Sequence, residues 1–316
     1  MPTFSIHQLR PLFQYVASCP DLRVLPQSLL NTLILIVDIE AYEFDHSIVT
    51  EIGVANLSFA DVVGTAPGDR GKDWSQHVKT VHYRIAENYR YTNGWFVADM
   101  ADKFLFGKTE FVMLRDVKKV LAKHLEGIAT VAAEKAALAA PMGQKVGAVA
   151  YTAKQQPLVP AYYDDGPPRS LLDLIESLPT YRDTGLRIIQ GAHDKRHDIS
   201  WLASLGIAWP FSKDGADFDT QVISLQVIQG KKCRKFENMA ASLGVFTAWE
   251  HNAGNDACFE MSALLAAVFL TPRQEREMGS FWGLRWLPHL WLHSGVPKQK
   301  VKPDELDDKS MIKKAL

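Results

Sequence analysis

The chain has 316 residues, which is enough to bury a large core as one big domain or two modest ones. Its composition, 47% hydrophobic and 22% charged, excludes disorder of the whole chain. The formal net charge of -1 excludes a global basic field of the kind that marks many nucleic-acid-binding modules. An enzyme stays compatible with this balance, because an active site needs only a local basic or metal-neutralised cleft.

The cysteines and the apolar runs of the sequence indicate the cellular compartment and whether the chain enters a membrane. The three cysteines lie far apart and form no C-x-x-C pair, which disfavours a disulfide framework or a structural zinc site. No uninterrupted signal-type apolar stretch opens the chain, and no run reaches the roughly 18 apolar residues that a membrane helix needs. We expect a soluble protein of the cytoplasm or nucleus with no membrane partner.

The first elements are a helical extension and a very apolar strand. Residues 1–30 carry apolar positions at helical spacing before Pro20 and Pro26 interrupt them, which predicts a helix and a linker that packs on the main domain. Residues 33–40 then predict a strand that is buried on both faces.

This strand ends in two carboxylates, Asp38 and Glu40, separated by one residue. Residues two apart on a strand point to the same side, so both acids project from one face. Adjacent carboxylates repel each other and resist desolvation, and Mg²⁺ or Mn²⁺ is the natural compensating cation for such hard oxygen ligands. The alternative is a solvated strand end, and partners elsewhere in the chain must decide between the two.

The middle of the chain predicts two more strands, a helix and a loop. Residues 49–57 and 77–85 have strand patterns, and a hairpin is the simplest connection between the first two strands. Residues 88–96 mix aromatics with Arg and Asn, which suits stacking on bases as well as ordinary loop packing. A helical pattern runs from Phe111 to residue 140, and the proline-rich residues 141–170 predict an inserted, partly mobile loop.

The last third predicts a strand-to-helix junction that carries polar groups. Residues 185–191 form a short apolar strand that leads into a helix near 199–205, with Asp198 between them. Open α/β sheets place their sites at such carboxyl edges. A further short strand ends at Asp219, and helices are predicted at 235–243 and 255–270.

The start of the last helix carries His251 and Asp256. Asp256 alone is explained as an acid in the first turn of a helix. On one helix His251 would be rotated roughly 140° away from it, so both reach one site only if His251 lies on the preceding loop. With Asp38, Glu40 and Asp198 there are four carboxylates, which suit two divalent cations, and a neutral imidazole beside them could accept a proton from water.

Taken in order, these motifs resemble the DEDDh exonucleases of the ribonuclease H-like superfamily, over about residues 32–271. The first motif is Asp38 and Glu40, the second holds Asp198, and the third holds His251 and Asp256. Two further stretches match the second strand and the Asp-Thr pair of that family: they are Thr50–Gly53 and Asp219–Thr220.

The resemblance implies an α/β, ribonuclease H-like fold with a mixed central sheet of about five strands flanked by helices. The exonuclease domain would occupy residues 31–273, with an insertion at about 127–184. An N-terminal helical extension, 1–30, would precede it, and an aromatic and charged tail, 274–316, would follow.

Within the superfamily, Phe104–Gly107, His82–Ile85 and His193–Asp198 most resemble a fungal branch of nuclease-like proteins. Members of that branch include ones linked with messenger-RNA export and small-RNA silencing. Where the family usually has Asn after the second-motif histidine and Phe before its acid, this chain has Asp194 and His197. Both departures leave the acid set complete.

The activity implied by the resemblance is two-metal hydrolysis of phosphodiester bonds. Asp38, Glu40, Asp198 and Asp256 would hold two Mg²⁺ or Mn²⁺ ions, and His251 would take a proton from the attacking water. The substrate would be single-stranded RNA or DNA with a free 3′ end, with RNA favoured by the links of the fungal branch.

Two alternatives remain at this point. His193 and His197 resemble the H-E-x-x-H zinc motif with Asp in place of Glu, which would make a zinc hydrolase. A nuclease-like fold could also bind RNA or protein without turnover, and the aromatic residues 281–291 of the tail are a candidate surface for a protein partner.

Overall fold

The computed structural model describes residues 3–139, 169–182, 184–211, 215–228 and 235–275. The predicted insertion at 141–170 lies almost entirely outside the described residues, and so does nearly all of the tail. The strands are β1 Thr32–Tyr42, β2 Asp45–Ser58, β3 Lys79–Ile85, β4 Thr109–Val112, β5 Arg187–Ala192 and β6 Ala216–Asp219. The helices are α1 Ile6–Ser18, α2 Gln27–Leu30, α3 Phe59–Val62, α4 Lys72–Ser75, α5 Val117–Ala139, α6 Arg169–Ser177, α7 Arg196–Ser204, α8 Thr220–Ile228, α9 Phe236–Ser242 and α10 Ala253–Phe269.

Within the described residues, six strands form one mixed sheet in the order β4-β3-β2-β1-β5-β6. The predicted hairpin of β1 and β2 is present, and β2 also pairs antiparallel with β3. The pairs β1–β5, β5–β6 and β3–β4 are parallel. A mixed sheet flanked by helices confirms the predicted α/β, ribonuclease H-like fold class.

Helices cover both faces of the sheet, and β1 explains why its sequence is apolar throughout. Ile34 and Ile36 lie in the core under α1 and α10, whereas Leu33 and Leu35 lie in the core under α5 and α7. Alternate residues of a strand face opposite sides, so a strand between two helical layers needs both sets apolar. Asp38 and Glu40 continue the even-numbered series and therefore face the α10 side.

Helix α10 is buried along nearly its whole length, which is why it is rich in alanine and other apolar residues. Its first turn lies directly against β2 at Gly53, where an added Cβ would overlap the Ala253 carbonyl. Only glycine permits so close an approach of two backbones. Since Gly53 pairs with Asp38 in the β1–β2 ladder, this contact sets the distance between the first motif and α10.

Several parts of the fold differ from the sequence-based expectation. Residues 109–112 form the edge strand β4, and the helix expected from Phe111 begins at Val117. A four-residue strand with an exposed Phe111 is too short for its alternation to stand out beside a long helix. The short helices α6 and α8 were also not predicted. None of the described helices has the length and apolar character needed to span a membrane.

Candidate active site

The first motif lies at the carboxyl end of β1, beside β5 and below α10. Asp38 and Glu40 flank Ile39, whose side chain enters the opposite core. The Ile39 backbone N–H donates to Asp198 Oδ1 at 3.1 Å. The backbone of Ile39 therefore connects the first motif to Asp198, although Asp198 is 160 residues from Asp38 and 158 from Glu40 in the sequence.

The third motif occupies the loop and first turn of α10. His251 lies in the loop, with φ 67°, and its backbone N–H donates to Asp256 Oδ2 at 2.7 Å. The imidazole Nδ1 is 3.8 Å from Glu40 Oε1. Glu40, His251 and Asp256 offer ligand atoms that all lie within 4.8 Å of one another. The loop position of His251 is the one that the five-residue spacing to Asp256 requires.

The second motif lies in the first turn of α7, where Asp198 is buried. The loop before it is organised by Asp219, the last residue of β6, whose carboxylate accepts backbone N–H groups of Asp194 and Lys195 at 3.3 and 3.4 Å. The same carboxylate accepts the Gln221 N–H at 2.9 Å, at the start of α8. The Asp-Thr pair thus holds the β5–α7 junction in place.

Two asparagines fix the loop that carries His251. Asn252 caps α10 by accepting the Asn255 N–H at 3.0 Å, and its amide donates to the Met100 and Ala101 carbonyls. Asn255 accepts the Leu105 N–H at 2.9 Å. The sequence analysis gave neither asparagine a role in the site, although Asn at an N-cap position is a recognisable signal.

Glu51 of β2 connects the sheet to the start of α10. Its Oε2 is 2.8 Å from His82 Nε2 on β3, and it accepts the Ala253 N–H at 3.3 Å. An acid that accepts a hydrogen bond from the first turn of a helix is also favoured by the helix dipole. This contact gives a physical reason for the Thr-Glu-Ile-Gly sequence of the second strand.

The site has a large excess of buried acidic groups. Burial, followed by the charge of Asp256, raises the pKa of Asp38 well above its usual value. Burial raises the pKa of Asp198 to about 8, with the Ile39 N–H opposing the shift. Burial is also the first cause of the raised pKa values of Glu40 and Asp256. The nearby Glu40 carboxylate is the main reason why the pKa of His251 is raised.

Two carboxylate oxygens of the site point to a cation. Asp38 Oδ2 and Asp256 Oδ1 are fully buried and have no hydrogen-bond partner among the described residues. Buried carboxylate oxygens are normally paired or bound to a metal. Hard oxygen donors beside one imidazole suit Mg²⁺ or Mn²⁺, so the residues present fit a divalent cation.

The geometry does not support the zinc alternative. His193 precedes α7, and its Nδ1 is 3.1 Å from Thr220 Oγ1. His197 lies on α7 with its ring beside Trp201, 5.6 Å between centroids. Because His193 lies outside α7, the two histidines do not form the helical pair that the zinc motif requires, and neither joins the acid–histidine group found among the described residues.

Exposed aromatic side chains lie close in sequence to two residues of the site. Phe44, four residues after Glu40, and Phe96 are 58% and 71% exposed, with ring centroids 5.7 Å apart. Glu43 holds this loop by accepting the backbone N–H groups of Trp95 and Phe96, both at 2.7 Å. Trp249, two residues before His251, is 41% exposed.

One acid of this region was missed by the sequence reasoning. Glu260 lies four residues after Asp256 on α10 and is 2% exposed. Four residues are about one helical turn, so the spacing alone places both acids on one face and was a usable signal.

Comparisons with known proteins give a matching family model and two uncharacterized relatives. A family model, DEDDh_C, described as DNA polymerase III subunit epsilon-like, C-terminal domain, matches residues 33–142 and 176–267. An uncharacterized nucleolar protein of Schizosaccharomyces pombe is 34% identical over 100 residues, covering 29% of this chain and 35% of that protein. An uncharacterized protein of Saccharomyces cerevisiae is 23% identical over 270 residues, covering 80% of this chain and 44% of that protein. The matched part spans less than half the length of each relative.

Proposed function

The chain belongs to the DEDDh exonuclease family, and we propose that it is a metal-dependent 3′–5′ exonuclease acting on single-stranded nucleic acid. The observation that carries the proposal is the meeting of Glu40, His251 and Asp256 within 4.8 Å beside buried, unpartnered carboxylate oxygens. A histidine that shares a site with cation-binding acids is the arrangement needed for hydrolysis by an activated water.

In this proposal Asp38, Glu40, Asp198 and Asp256 hold two Mg²⁺ or Mn²⁺ ions. When bound, such ions lower the pKa of a water and stabilise charge on the leaving oxygen. The side chains form a rigid frame for that chemistry, because Asp198 is fixed by the Ile39 N–H and Asp256 by the His251 N–H.

His251 is the proton acceptor of the proposed reaction. Its side chain is 45% exposed, so water and substrate can reach the ring, whereas Glu40 Oε1 lies 3.8 Å from Nδ1. The interaction with Glu40 favours the protonated ring, which stabilises His251 after it has taken the proton. Nε2 is then the atom available to the attacking water.

The aromatic side chains beside the site support a single-stranded substrate. Phe44, Phe96 and Trp249 are exposed, and unpaired bases stack on such rings whatever their sequence. Stacking is worth roughly 1–3 kcal/mol per base. We propose RNA as the preferred substrate, and matched RNA and DNA oligonucleotides test this choice. The name of the nucleolar relative supports a nuclear location.

The decisive experiment separates turnover from binding. A 5′-labelled single-stranded oligonucleotide is incubated with the full chain and Mg²⁺ or Mn²⁺, beside the same strand with a blocked 3′ end. We expect a ladder of products from the free end and protection of the blocked strand. His251→Ala should remove the ladder, whereas the exposed His7→Ala is the matched control. Binding of intact strands without cleavage in both metals would instead support the non-catalytic binding module.

A further inference from the structure

Glu260 is a buried acid that the proposed mechanism leaves without a role. It lies one helical turn after Asp256 on α10, and its side chain is only 2% exposed. Its buried neighbours on the same helix, Ala257, Met261 and Leu264, are apolar, as a core helix requires. A fully buried Glu is rare unless it is paired or serves a charged ligand.

Only part of the Glu260 carboxylate is satisfied by hydrogen bonding. Its Oε2 atom is buried and has no hydrogen-bond partner among the described residues, like Asp38 Oδ2 and Asp256 Oδ1. The three side chains therefore present three such oxygens from two adjoining elements, the end of β1 and the first two turns of α10. Hydrogen bonding explains none of the three, whereas cations bound among the acids would offset their charge.

The charges around Glu260 also point toward a cation. The groups that act on it are all acids, Asp198 first and then Asp256 and Asp219, and together with burial they raise its pKa. The His193 backbone amide opposes this shift by hydrogen bonding to the carboxylate. Glu260 in turn contributes to the raised pKa of Asp38. An acid with a purely structural role is not expected at a position where the neighbouring acids repel its charge.

We propose that Glu260 is a fifth acidic group of the metal centre, placed behind Asp38 and Asp256, where it increases the affinity for divalent cations. The inference rests on the proposed function in one respect: both require a cation at the acids. It adds that the first four acids do not account for the whole affinity of the site.

The test measures cation binding without nucleic acid. Mn²⁺ is titrated into the full metal-free chain by calorimetry, with electron paramagnetic resonance counting free Mn²⁺. We expect Glu260→Gln to weaken Mn²⁺ binding about tenfold, the size of effect seen when outer groups of metal sites are removed. The exposed Glu134→Gln on α5 is the matched control and should bind as the unaltered chain does.

Two further measurements keep fold and function apart. Thermal unfolding in EDTA should be no lower for Glu260→Gln than for the unaltered chain, because the change removes a repelled acid while keeping its shape. Glu260→Asp keeps the charge and should retain more Mn²⁺ affinity than Glu260→Gln. Mn²⁺ affinity of Glu260→Gln within twofold of the unaltered chain overturns the inference. If the unaltered chain binds Mn²⁺ tightly yet degrades no oligonucleotide, the proposed function fails while this inference stands.

Discussion

The metal-free protein should lose stability as the pH rises, and a divalent cation should reverse the loss. Asp198 carries the argument, because burial raises its pKa from 3.8 to about 8 in the native state. Between these values the native state holds a proton that the unfolded state has already released. The free energy of unfolding therefore falls as the pH increases through this window. His251, whose pKa is also raised, contributes in the same direction.

The size of the effect follows from the shift. One pKa unit corresponds to about 1.4 kcal/mol, so the full shift at Asp198 sets an upper value of roughly 6 kcal/mol. Relaxation and water entry reduce such values, and we expect a loss of about 1–3 kcal/mol between about pH 5 and pH 8. A cation at about 100 times its Kd should then restore about 2.7 kcal/mol at the higher pH.

Urea unfolding followed by circular dichroism, in EDTA and in Mn²⁺, measures both effects. Asp198→Asn is the informative variant, because an amide has no proton to lose and should weaken the pH dependence in EDTA. Asp38, Asp256 and Glu260, whose pKa values are also raised, should retain the rest of it. Glu134→Gln, an exposed acid on the other side of the sheet, should leave it unchanged. Equal stability of the metal-free chain at both pH values, with no response to Mn²⁺, would refute the reasoning.

Three further predictions concern single side chains. Gly53→Ala should lower the free energy of unfolding in urea by about 1–3 kcal/mol and should also reduce cleavage, because a methyl group would push the first turn of α10 away from β2. Unchanged stability and activity would contradict the close contact. His251→Ala should lower kcat about 100-fold or more while Mn²⁺ affinity changes by only a fewfold, and a kcat close to that of the unaltered chain would contradict its role as proton acceptor. Glu43→Ala should raise KM for single strands with kcat retained, since the loop that carries Phe96 loses its backbone acceptor; a lower kcat with unchanged KM would count against a binding role.

Much of the fold could be predicted because the signals were local and strong. An apolar strand such as β1 is expected only in a sheet that helices cover on both faces. The β1–β2 hairpin follows from the short turn between two strand patterns. The loop position of His251 could also be derived, since no single helix allows it to face the same way as Asp256. Each of these predictions depends only on residues that are close together in the sequence.

The remaining features depend on contacts between distant residues. Strand β4 is defined by its pairing with β3. Its four residues alone show no pattern that predicts a strand. The anchoring of Asn255 to Leu105 joins segments 150 residues apart. Glu260 could be placed near Asp256 by spacing, but its burial and its unpartnered oxygen exist only once α10 packs against β1. Sequence reasoning therefore found the acids of the motifs and missed the groups that surround them.

The central claim is that acids from three motifs form one metal-dependent hydrolytic site. The most direct test is a time course with a 5′-labelled single-stranded RNA, comparing the unaltered chain in Mn²⁺, the same chain in EDTA, and Asp38→Asn in Mn²⁺. The account predicts progressive shortening from the 3′ end in the first reaction and intact RNA in the other two. Equal shortening by Asp38→Asn, or cleavage that persists in EDTA, would contradict it.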